Sequence, residues 1–168
     1  SSGTGGAIKG ESSASLNVFN CTITQNTSAV VGGYYSSSSG GDYFMNTILW
    51  GNTSTNNDHN DNYWSQYTRY FANTIMTEDY SGENTFDSDP LFTNPDSNDF
   101  SLSNYSPAIA TGADSVEIPT GSGNVWYYAP NTDFIGNSRP NPAGSNPDIG
   151  AYENALASRL TITRYVAT

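Results

Sequence analysis

The chain has 168 residues, enough for one domain with a real core, and a net charge of −11 from sixteen acidic and five basic side chains. The basic residues, Lys9, Arg69, Arg139, Arg159 and Arg164, are scattered, which argues against nucleic acid and against an anionic membrane surface as partners. Cys21 is the one cysteine, so there is no disulfide framework or thiolate metal cluster, and no apolar run reaches the ~18 residues of a membrane span.

The chain opens on Ser1-Ser2-Gly3-Thr4-Gly5-Gly6 without a methionine, which reads as a processed or excised piece of something larger. A pattern then recurs three times: Phe19-Asn20-Cys21-Thr22-Ile23, Phe44-Met45-Asn46-Thr47-Ile48 and Phe71-Ala72-Asn73-Thr74-Ile75. Phe44 follows Phe19 by 25 residues and Phe71 follows Phe44 by 27, a period that suits one coil of a parallel β-helix and is too short for a propeller blade. Each unit is too small to bury its apolar side alone and becomes stable by stacking on its neighbours. The expected fold is therefore all-β, a right-handed parallel β-helix or solenoid. Phe19, Phe44 and Phe71 form one interior row in this reading, and Ile23, Ile48 and Ile75 a second. Cys21 takes the position of Asn46 and Asn73 as a small stacked side chain. The asparagines either form a hydrogen-bonded ladder between coils or supply a left-handed corner.

A polar excursion from Ser54 to Tyr67 separates the second and third units. After residue 81 the repeats stop and prolines appear. Residues 1–86 read as coils, 87–153 as a final coil with an irregular cap, and 154–168 as a linker and trailing strand. Leu160, Ile162, Arg164 and Val166 share one parity of that strand, so residues 159–168 are expected to pair with another module or a like subunit.

Several strings in order carry a family resemblance. They are Asn46 to Thr53 (NTILWGNT), Asp89-Pro90-Leu91-Phe92, Asp99-Phe100-Ser101-Leu102, Ser106-Pro107-Ala108-Ile109, Asp133 to Pro140 (DFIGNSRP) and Asp148 to Glu153 (DIGAYE). Over about residues 5–153 the chain resembles the C-terminal half of bacterial right-handed parallel β-helix surface proteins. These are of the choice-of-anchor Q domain type, within the pectate-lyase-like superfamily. The resemblance implies secretion to the bacterial cell surface, and it implies little chemistry, because one architecture hosts many functions.

The excursion holds the most distinctive side chains. Asp58 and Asp61 are candidate calcium ligands, although the loop lacks the spacing of known calcium motifs. Tyr63, Trp64, Tyr67 and Arg69 are candidates for contacting an extracellular glycan. His59 beside these aspartates does not by itself make a catalytic dyad, and no catalytic residue is assigned. Calcium is the sole candidate cofactor. The expected role is a structural or adhesive segment of a large secreted surface or filament protein, with modules of the same parent or like subunits as partners. The alternatives are one end of a polysaccharide lyase or glycosidase, or a glycan-binding module.

Overall fold

A computed structural model describes residues 5–13, 15–56, 61–67, 69–77, 83–120 and 123–162. They are mostly β, with parallel sheets and no α-helix among the described residues. The first pass of chain contains β1 (Ile8–Gly10), β2 (Leu16–Phe19), β3 (Thr22–Thr24) and β4 (Thr27–Ser28). The second contains β5 (Tyr34–Ser36), β6 (Asp42–Met45), β7 (Ile48–Trp50) and β8 (Thr53–Ser54), and β9 (Tyr63–Ser65) and β10 (Arg69–Met76) follow. Each first-pass strand pairs in parallel with its second-pass counterpart: Ile8 faces Tyr34, Leu16 faces Asp42, Thr22 faces Ile48 and Thr27 faces Thr53, always 26 residues on. β10 pairs with both β6 and β7, and β11 (Glu83–Phe86) joins β10 on its other side.

The register differs from the expected alignment by one residue in the first unit. Val18, not Phe19, lies opposite Phe44, and Phe71 lies opposite Phe44 on the other side. Phe19 faces Met45, and Ile23 faces Leu49, which in turn faces Met76. Asparagine sets this register. Asn20, Asn46 and Asn73 sit at the same corner with φ of 48°, 49° and 48°, in the left-handed region that Asn tolerates better than most residues. Aligned on that corner, Cys21 falls opposite Thr47, not in the asparagine position. Asn84 (φ 52°) extends the row, since its neighbours pair Ala72 with Glu83 and Thr74 with Thr85.

The main sheet is buried on both faces. Inside, Val18, Ile23, Tyr34, Phe44, Leu49, Phe71 and Met76 form one core, with the Phe44 and Phe71 rings stacked at 4.7 Å. Ile48 and Ile75 point the other way, against Leu102, Ala108, Ile109 and Ile149. Met45 and Ala72 also point outward, against Val116 and Ile118. Two-sided burial explains why the motif carries adjacent apolar pairs, Phe44-Met45 and Ile48-Leu49, where a half-exposed strand would alternate.

The segment after residue 86, expected as an end cap, lies along the second face of this sheet. It contains two antiparallel hairpins, β12 (Phe92–Asn94) with β13 (Asp99–Leu102) and β14 (Ser115–Thr120) with β15 (Gly123–Tyr128). The asparagine row holds it there. Asn46 Nδ2 donates to the Ala113 carbonyl (2.8 Å) while its Oδ1 accepts from the Ala113 N–H (2.9 Å), and Asn73 Nδ2 donates to the Thr111 carbonyl (3.0 Å). The expected ladder is present at one step, Asn46 to Asn20 at 3.4 Å. Gly112 is needed at this seam, because a Cβ there would stand 2.9 Å from Asn46 Oδ1. The expected trailing strand is not formed over residues 159–162: Leu160 donates its N–H to the Asn104 carbonyl (2.7 Å) and Ile162 is 82% exposed. Residues 163–168 lie outside the described residues.

Candidate functional site

The residues expected to contact a glycan do not come together. Arg69 is buried inside the fold. Its Nε lies 2.7 Å from Asp42 Oδ2, and its Nη2 donates to Ser36 Oγ (2.8 Å) and the Ser38 carbonyl (3.2 Å). Asp42 also accepts the Leu16 N–H (2.9 Å) and the Tyr34 hydroxyl. Burial, then the bond to Asp42, pushes the Tyr34 phenol up to about 12. A guanidinium paired this way inside the first two passes fastens them together and is not offered to a ligand.

Strand alternation separates the aromatics of the excursion. Tyr63 turns inward and meets the Phe71 ring edge-on at 5.2 Å. Trp64 turns outward and stacks on Tyr35 at 4.8 Å and 16°, so one of its faces is covered by a ring of the preceding pass. Tyr67 is exposed at the following turn. Of the calcium candidates, Asp58 lies outside the described residues, as does His59. Asp61 Oδ1 accepts the Ser54 N–H (2.5 Å), which ties a turn, and the described residues contain no group of three metal-ligating side chains.

A charged cluster that the sequence reading assigned only a structural role lies in the C-terminal segment. Arg139 Nη1 is 3.1 Å from Glu153 Oε1 and 3.1 Å from the Asp148 carbonyl, and Nη2 donates to the Gly150 carbonyl (3.2 Å). Asp148 accepts N–H groups from Ala110 (2.7 Å) and Asn154 (2.6 Å), and Glu153 accepts from Asp148 (3.0 Å) and Asn141 (2.9 Å). Asp133 accepts from Ile135, Asn137 and Glu153 backbone N–H groups at 2.8–3.1 Å. Burial pushes the Asp148 carboxyl up to about 7 against these hydrogen bonds, and burial also raises Glu153. Burial pushes Asp133 upward too, but there the hydrogen bonds win and hold it below its usual value. Burial lowers the Arg139 guanidinium.

An open cavity of about 440 Å³ adjoins this cluster, walled by Cys21, Thr22, Phe100, Phe134, Arg139 and Tyr152. It does not assemble into a nucleophilic site. Burial raises the Cys21 thiol, and its Sγ–H points to the Phe19 carbonyl at 3.1 Å, so the reactive thiolate is disfavoured. Asp148, the carboxyl nearest a neutral-pH titration, is fully buried and is not in the cavity wall. The cluster's geometry is that of a clasp: short acidic side chains cap backbone N–H groups of an irregular segment that has few of its own partners.

No protein-family model, curated protein or solved structure matches this chain.

Proposed function

We propose that the chain is a right-handed parallel β-helix segment, clasped along one side by its C-terminal part, that serves a structural or adhesive role in a secreted bacterial cell-surface or filament protein. The constant 26-residue register of four parallel pairs supports the solenoid. The use made of the described charged groups carries the non-catalytic reading. Arg69 is spent on Asp42, Arg139 on Glu153, and the buried carboxylates on backbone N–H groups. The outer face of the main sheet, where a β-helix lyase or glycosidase would need a groove of acidic and basic side chains, is filled by Leu102, Ile109, Val116 and Ile118. The polar, weakly charged remainder suits contact with other modules of the parent, like subunits or extracellular glycan.

Two measurements test this. Incubation with polygalacturonate, alginate, xylan and chitin, with and without calcium, should release no reducing ends or unsaturated uronates. Labelling of intact source cells with a membrane-impermeant reagent should reach the protein. Sustained depolymerisation of any of the four polymers defeats the non-catalytic reading, and protection from labelling defeats the surface location.

A further inference from the structure

We propose that the cleft between the asparagine row and the β14–β15 hairpin binds a neutral hexopyranose unit of a glycan. The cleft measures about 390 Å³ and is walled by Asn73, Asn84, Ser115, Glu117 and Trp126, at the small end of the range for ligand clefts. The row explains why the cleft is polar. Asn20, Asn46 and Asn73 each donate to a carbonyl of the C-terminal segment. Asn84, the next in register, has no such partner among the described residues, and the Oδ1 of Asn73 is likewise not engaged there. No described residue hydrogen-bonds the Glu117 carboxylate or the Ser115 hydroxyl. Glu117 pairs directly across the hairpin with Trp126, which places a carboxylate beside an indole that is 53% exposed.

These groups match a sugar ring by type. A hydroxyl both donates and accepts, so adjacent ring hydroxyls satisfy an amide N–H₂, an amide oxygen and a carboxylate together. The indole face packs on the C–H face of the ring. A cationic side chain would use Trp126 and Glu117 but leave the asparagine donors unmatched. An anionic sugar would meet Glu117 with no cation in the wall and a chain of net charge −11 around it. The site gives the adhesive reading above its chemistry and rests on that reading for its biological meaning. A lack of sugar binding here leaves the depolymerisation and labelling results untouched.

The test uses the whole chain and follows the Trp126 indole N–H by heteronuclear NMR. Maltotriose, cellotriose and mannotriose are the neutral probes, trigalacturonate the anionic one and Nα-acetylarginine amide the cationic one. At least one neutral trisaccharide should move the Trp126 signal to saturation in the millimolar range, and trigalacturonate should not. Trp126→Ala, monitored through Tyr127 and Tyr128 signals, should abolish saturation, and Asn84→Ala should weaken it at least fivefold. Glu117→Gln, which keeps an acceptor, should weaken it less than tenfold. All variants should unfold at the wild-type temperature, which separates site from fold. Failure of all three neutral probes overturns the proposal. So does tighter saturation by acetylarginine amide that Glu117→Gln removes, which would make this a cation-binding cleft.

Discussion

Truncating Phe44 and Phe19 in turn tests the register that builds this fold. Phe44 is fully buried, lies between Val18 and Phe71 in the parallel ladder, and touches two rings, Phe71 at 4.7 Å and Tyr34 at 5.0 Å. Phe44→Ala removes a whole aromatic side chain from a site whose neighbours are held by strand pairing, so the cavity cannot close. The expected cost is about 3–5 kcal/mol, the lost ring contacts placing it toward the upper end. Phe19 is half-buried on the opposite face, edge-on to Tyr127 at 5.1 Å, where the hairpin can settle inward. Phe19→Ala should cost roughly 1–2 kcal/mol, because much of the transfer term is already forfeited to solvent. Equilibrium urea unfolding reads both. With a slope near 2 kcal/mol/M, the midpoints should fall by about 2 M for Phe44→Ala and by under 1 M for Phe19→Ala. Equal shifts would refute the off-by-one register and restore Phe19 to the interior row.

Three further outcomes follow from the polar interior and the clasp. Arg69→Met or Asp42→Asn alone should cost about 3–5 kcal/mol by stranding a buried partner, while Arg69→Met with Asp42→Leu should cost clearly less in the same urea assay. Asn46→Ala should cost roughly 2–4 kcal/mol from the left-handed corner and the two lost bonds to Ala113, and Asn46→Gly should recover about 1 of these by restoring the conformation alone. Asp148 has a folded value of about 7 against 3.8 for the free side chain, so the folded state holds its proton more tightly. Its contribution is therefore fully present below about 4 and lost as pH rises toward 7. Asp148→Asn should be less stable than wild type at acid pH but lose less stability from pH 4 to 7; a steeper loss in the variant would contradict the raised value.

The period of the repeat was legible because coils need equal lengths of chain, and the observed 26-residue offset lies between the spacings of the phenylalanines. The register was not, because matching Phe19 to Phe44 weighs side-chain identity, while the corner dihedral decides the alignment. Aligning Asn20, Asn46 and Asn73 instead puts Val18 in the row. The pairs Phe44-Met45 and Ile48-Leu49 also carried the signal of two-sided burial, and it went unread because a β-helix face was expected to meet solvent. Arg69 looked available beside Tyr67 and Tyr70, yet Asp42, 27 residues earlier, claims it, and no local pattern announces a partner one coil away. The clasp around Arg139 was visible as a string of residues but not as a shape, since its bonds run between loops without periodicity.

The seam along the asparagine row also has a consequence in time. Asn20 bonds the Asp148 carbonyl 128 positions later, and Thr22 Oγ1 accepts the Ala151 N–H 129 positions later. Stacked repeats ordinarily need only the next repeat to settle, so they can fold as they emerge. Here the outward sides of Met45, Ile48, Ala72 and Ile75 wait for a cover that is synthesised and threaded through any export channel last. Until residue 150 or so arrives, the early passes present a greasy flank to every neighbouring chain, and long-range closure of this kind is slow and prone to association. A holdase or the channel itself must shield that flank during the interval, and the last quarter of the chain acts as the signal that maturation is complete.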